Sequence, residues 1–238
     1  MRSVFVLQHT HSEFLGLVED HLEGRNIRFT YMRPFAAGGF LPANVDLIDG
    51  VFLLGGGPWG AAGENDLPRL YDEVRLTVRC LELGKPVVGF GLGAQILAIA
   101  GGGRADRAPL RLEVGEARRT DPDALNGFLP ERFPQVVYMR DRPVPPHDAR
   151  VLAEDAAGRP AVFQVGANSI GFCGHPGAKL GMIEDLAMEF DEAPEDLAEG
   201  LQKMRAVQTD IADALVHIMT GLIQVTGLMR HVESAPLE

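Results

Sequence analysis

The sequence predicts an α/β fold, a parallel sheet covered by helices. Two observations carry this prediction. Over residues 3–100 short apolar runs alternate with segments of helical period, the pattern of successive β-α-β units. The chain has 238 residues, 46% of them hydrophobic. That is enough for one α/β domain with a full core, and too apolar for a disordered chain.

The elements follow in order. Ser3 to Gln8 is an apolar run ending at His9-Thr-His11, as in a buried parallel strand. Residues 12–23 carry Phe14, Leu15, Val18 and Leu22 at helical spacing, and Gly24 stops them. Ile27 to Met32 is a second strand. Val45 to Leu54 is a third, entering Gly55-Gly-Gly-Pro58. Leu67 to Leu83 is a helix closed by Gly84, with Cys80 in its core face. Pro86 to Phe90 is the fourth strand, and Ala94 to Ala100 the helix leaving it. The second half opens with shorter strands expected to run antiparallel: 111–119, 136–139, 151–154, 160–165 and 169–173. The last runs into Gly174-His175-Pro176.

Residues 195–229 differ. Leu197, Leu201, Met204, Ile211, Leu215, Ile218, Leu222, Val225 and Met229 recur at steps of three and four, with polar Gln208 in the one gap. Such a seam predicts a long helix or helical hairpin. It packs either on its own domain or on a partner subunit. Its final third broadens its apolar face, which calls for more than one neighbour.

Charge and cysteine content exclude some roles. Lys and Arg total 22 against 33 Asp and Glu, a net charge of −11. Such a chain is repelled by phosphate backbones, so no nucleic-acid partner is expected. No apolar run approaches the roughly 20 residues of a membrane span, so no membrane partner is expected either. The start, Met1-Arg-Ser-Val-Phe-Val, lacks a signal-peptide core and is read as strand. With only Cys80 and Cys173, no disulfide framework exists and a reducing cytoplasm is expected.

The informative stretch is Gly84-Lys-Pro-Val-Val-Gly-Phe-Gly-Leu-Gly-Ala-Gln95. A strand enters a Gly-x-X-x-Gly turn and leaves as a helix, the form of a nucleophile elbow. Gly89 and Gly93 permit a turn too tight for side chains. The central residue, Gly91, projects over the sheet edge beside a helix N-terminus whose amides favour an oxyanion.

On these residues the chain resembles the class I glutamine amidotransferases, especially those similar to the glutaminase domain of GMP synthase. Three landmarks fall in order. Gly56-Gly57-Pro58 resembles the oxyanion loop, Gly84-Lys-Pro through Gln95 the nucleophile segment, and Ile170-Gly171 with His175-Pro176 the strand that delivers the catalytic histidine. The resemblance covers roughly residues 3–185. It implies a flavodoxin-like three-layer sandwich over 1–190 and a helical extension, 191–238, as an interaction element. It makes His175 the triad histidine, and Gly57, Leu92, Gln95 and Cys173 the oxyanion and ligand pocket.

The departures weigh more. Gly91 stands where the family has cysteine, and Gly177 where it has glutamate. Cys173 stands two residues before the histidine, where the family has glutamine. Tyr138-Met139-Arg140-Asp141 stands where the family often has a Trp-His or His-Ser segment. Glutamine hydrolysis in the family passes through a thioester and needs thiolate, base and carboxylate. Gly91 has no atom that can attack, so ordinary glutaminase activity is expected to be lost.

His9, His11, Gly57, Gly91, Cys173 and His175 all fall at carboxyl ends of strands, where open α/β sheets bind ligands. The chain is read as cofactor-free. The set His9, His11, Cys173 and His175 is the metal or haem alternative, and a small amide or amine the alternative occupant. Cys173 is the one candidate for a displaced nucleophile, being spaced to share a strand face with His175. Trp59 is placed at the pocket mouth or as a capping aromatic. Asp121-Pro-Asp123 and Arg140-Asp-Arg-Pro143 are read as solvated loops, and His217 as lying beside the seam. The function expected is that of a non-catalytic subunit or accessory of a larger enzyme, forming a homo-oligomer or hetero-complex through the C-terminal helix. The alternatives are an active amidotransferase or hydrolase with displaced or metal-assisted chemistry, and a sensor of glutamine or an amine.

Overall fold

A computed structural model describes residues 1–63 and 65–229. The elements are β1 (Arg2–Leu7), α1 (Val18–Glu23), β2 (Ile27–Met32), β3 (Gly50–Leu53), α2 (Leu70–Glu82), β4 (Val87–Phe90), α3 (Leu92–Ala100), β5 (Arg104–Asp106) and β6 (Arg111–Arg119). After them come β7 (Arg132–Met139), β8 (Arg142–Val144), β9 (Arg150–Glu154), β10 (Pro160–Val165), β11 (Ser169–Phe172), α4 (Leu180–Glu189) and α5 (Leu197–Val225). Residues 230–238 of the expected extension lie outside the described residues.

Nine strands form one sheet in the order β2-β1-β3-β4-β11-β10-β9-β6-β7, and β5 pairs with β8 beside it. From β2 to β11 neighbours run parallel. From β11 onward they run antiparallel. β11 therefore departs from the expectation of antiparallel pairing, because it pairs parallel to β4 on one edge and antiparallel to β10 on the other. Successive residues serve opposite cores. Val4, Val6, Phe52, Leu54, Val88 and Phe90 face α1 and α5, while Leu7, Val51, Leu53 and Val87 face α2 and α3. That alternation of buried residues is the three-layer sandwich.

Two expected elements are shorter than expected. Residues 12–17 are not helical, since Gly16 takes φ +62° and the Leu17 amide is spent on Gly177 O at 2.9 Å. Residues 45–49 turn before β3, with Ile48 N–H on Val45 O at 3.4 Å. The sequence reading missed α4.

The C-terminal seam is one 29-residue helix. Met204, Ile211, Leu215, Ile218, Met219, Leu222 and Ile223 are buried, packed on β6, β7, α1 and α4 of the same domain. The seam itself therefore faces the chain's own sheet rather than a partner. Gln208, its polar gap, accepts the Leu180 amide at 2.9 Å and donates to Ala178 O at 3.3 Å. It thereby satisfies an orphan N–H at the start of α4.

Candidate functional site

β4 delivers the elbow. Gly91 sits at φ 54°, ψ −112° as the N-cap of α3, a backbone region that side chains enter only under strain. Its amide donates to Phe172 O at 3.0 Å, and the Gly93 amide to Leu54 O at 3.0 Å. A Cβ on Gly91 would meet nothing nearer than Gly55 Cα at 3.5 Å, whereas one on Gly93 would fall 2.0 Å from Leu53 O. The flanking glycine is dictated by packing. The central one leaves room for a Cβ.

His175 lies beside this turn, buried, its ring 4.9 Å from that of Phe90. Nε2 is 2.8 Å from Phe14 O, and Nδ1 is 3.2 Å from Gly177 N. A carbonyl only accepts, so Nε2 carries the hydrogen and Nδ1 accepts from the Gly177 amide. Both nitrogens are occupied by backbone. Burial holds the imidazole pKa down at about 4, consistent with one neutral tautomer.

The space beside Gly177, the residue expected to stand at the glutamate position, is filled by residues 14–18. A Cβ on Gly177 would lie 2.9 Å from Val18 Cγ2 and 3.0 Å from Val18 N. The same segment supplies Phe14 O to His175 and the Leu17 amide to Gly177 O.

The sequence reading missed Glu13. It is buried, and its Oε2 is 3.4 Å from the amide of Gly57, in the loop expected to serve an oxyanion. A Cβ on Gly55 would fall 1.8 Å from its Oε1. Burial pushes the Glu13 pKa up to about 7 against the opposing pull of the Gly57 amide. The buried Tyr138 hydroxyl has no hydrogen-bond partner. Burial and then the charges of Glu13 and Glu192 raise its pKa to about 12.

His9 is buried and committed elsewhere. Nδ1 is 3.0 Å from both Leu54 O and Gly55 O, and Nε2 is 2.7 Å from Glu73 Oε2. With acceptors on both sides the ring is a double donor. Burial, the largest influence, opposes the charge, but Glu73, the Gly55 carbonyl and Glu13 together raise the pKa. His11 is exposed, edge-on to Phe35 at 4.7 Å.

Cys173 and His175 do not share a face. β11 ends at Phe172 and the chain bends through 173–174, so the two-residue strand period no longer applies. Cys173 joins the core on the α3 side, its thiol on Pro160 O at 2.9 Å. Burial raises its pKa to about 12, which makes it a poor nucleophile. Among the described residues no group of three or more His, Cys, Asp or Glu is placed to hold a metal. The metal alternative drawn from His9, His11, Cys173 and His175 is thus not assembled.

Leu92 and Gln95 begin α3, both buried. Leu92 packs against Gly56, and Gln95 Nε2 donates to Arg140 O at 2.7 Å. The Arg140-Asp141 segment is not a solvated loop. Arg140 Nε donates to Pro58 O at 2.8 Å, and Nη2 pairs with Glu192. The Asp141 carboxylate accepts the amides of Ala61, Ala62 and Ala108. Together they brace the loop from Pro58 to Ala62. Leu186 and Phe190, at the end of α4, lie over Gly57. Trp59 meets Phe190 edge-on at 6.5 Å, the capping arrangement.

Among the described residues no helix is long and apolar enough to cross a membrane. No family model matches the chain. It is 35% identical over 127 residues to a glutamine-hydrolysing GMP synthase of Aeropyrum pernix. The match spans 52% of this chain and 23% of that protein. A glutamine amidotransferase from Methylobacillus flagellatus superposes with TM-score 0.80 at 21% identity over 100% of both chains. One from Thermotoga maritima does so with TM-score 0.77 at 22% identity, over 94% of this chain and 98% of that one.

Proposed function

We propose that the chain, which shares the fold of glutamine amidotransferases, is a catalytically degenerate member of that class serving as a non-catalytic subunit or accessory of a larger enzyme. One observation carries the reading. The elbow offers no nucleophile, and the histidine that would serve as base has both ring nitrogens on backbone partners. Glu13, against the Gly57 amide, adds a carboxylate where a substrate oxyanion would need donors. Loss of the nucleophile alone costs about 10⁶ in kcat in a well-studied protease.

The subunit role is supported by the GMP synthase match, in which the matching region is less than a quarter of a longer protein. In this reading residues 1–190 are the amidotransferase-like domain. The extension 191–238 is the interaction element through the outward face of α5, in a reducing cytoplasm. The test is ammonia release from glutamine by the purified chain at high concentration, with light scattering alongside. No release above buffer and a mass above the 25.8 kDa monomer are expected. Steady turnover would overturn the degenerate reading, and a monomer with and without its natural partner would overturn the subunit role.

A further inference from the structure

A second site lies away from the elbow. A cavity of about 390 Å³ opens between the β5–β8 pair and the antiparallel half of the sheet, within the range of small-molecule sites. On a chain of net charge −11 its wall holds four arginines against three carboxylates, Asp106, Glu113 and Asp155. Arg111, Arg142 and Arg159 converge on the single carboxylate of Glu113, at 3.4, 3.6 and 3.5 Å. All three separations are long for N–H···O bonds. Of the three, among the described residues, Arg159 alone has a second carboxylate, Asp155, at 2.6 Å.

Arg111 is fixed by Nη1 bonds to Met139 O at 3.2 Å and Asp141 O at 2.9 Å. Among the described residues the buried Nε atoms of Arg111 and Arg142 make no hydrogen bond, that of Arg111 having only the long 3.4 Å ion pair with Glu113. Guanidinium groups with unspent donors favour planar oxyanions. Burial, along with the charges of Arg142 and Arg159, holds the Arg111 pKa down, against the pull of Glu113. The remaining wall includes Met139 and Pro143, which suit an apolar body.

We propose that this cavity binds a small organic oxyanion, a carboxylate or phosphate on an apolar body, with Arg111 and Arg142 holding the anion and Glu113 as its internal competitor. The proposal is independent of the elbow and does not rest on the degenerate reading. Calorimetry on the full chain at fixed ionic strength tests it, with phenyl phosphate, benzoate and neutral benzamide as probes. Arg142 and Glu113 are 37% and 45% exposed, so Arg142→Gln and Glu113→Gln should melt as the wild type does.

Saturable binding of at least one anion is expected, and none of benzamide. Affinity should fall about tenfold in Arg142→Gln and rise by a similar factor in Glu113→Gln, the size of a hydrogen bond to a charged group. The preferred probe tells phosphate from carboxylate. No saturable heat from either anion up to about 10 mM, a range where even weak sites register, would overturn the site. So would equal affinity in all three proteins.

Discussion

Glu13 and His175 are buried groups whose pKa values move in opposite directions, so their effects on stability have opposite sign. His175 is lowered to about 4. Its contribution is complete above its ordinary 6.5 and is lost as pH falls through 4. Glu13 is raised to about 7. Its contribution is complete below its ordinary 4.5 and is lost as pH rises through 7. Each shift corresponds to on the order of 3 kcal/mol. Glu13→Gln keeps the neutral form at every pH. At pH 8 it should exceed the wild type by up to that amount, a rise in Tm of roughly 5–10 °C. At pH 4.5 the two should melt together. Thermal melts of both proteins across this range check it, and an equal loss at both ends would show that the carboxyl is not a buried anion.

Glu13 also shows what sequence reading misses. Its partner, Gly57, is 44 residues away, and no local pattern announces such a pairing. The same holds for Arg140 and Asp141, whose partners Pro58, Ala61 and Ala62 are 79 or more residues distant. The elbow was legible because its geometry is written in adjacent glycines.

At the scale of elements, period was the reliable signal. β6 and β10 fall on the residues expected, the first a strand with one face partly exposed and the second a short buried apolar run. Cys173 went wrong because a strand rule was extended past the strand's end. For α5 the sequence could not say which surface the seam would meet. The structure places it on β6, β7, α1 and α4. Deleting the helix would therefore strip the core and could not report on assembly alone. Two point variants separate the roles. Leu215 is fully buried, and Leu215→Ala should cost about 2–5 kcal/mol in denaturant unfolding. Val216 is 49% exposed. Val216→Asp should leave unfolding unchanged and lower the assembled mass in light scattering, where a subunit role through this face requires it. A destabilised Val216→Asp protein, or one of unaltered mass, would remove α5's outer face from the interface.

Across the whole molecule the sheet has the fold of the solved glutamine amidotransferases, and the edge above it is filled from within. Residues 14–18 pack on Gly177 and take both it and His175 as partners. Glu13 reaches the Gly57 amide, and the end of α4 lies over Gly57. The fold could be read from the chain; this internal filling could not, because it is made by a segment that looked like an ordinary helix. If the filling disables the site, restoring sulfur alone is insufficient. Gly91→Cys has space for its Cβ and should fold with a penalty of about 1–3 kcal/mol from backbone strain. Ammonia release from glutamine by this variant is the most direct measurement. The account predicts no release above the wild type, and sustained turnover by Gly91→Cys would contradict it.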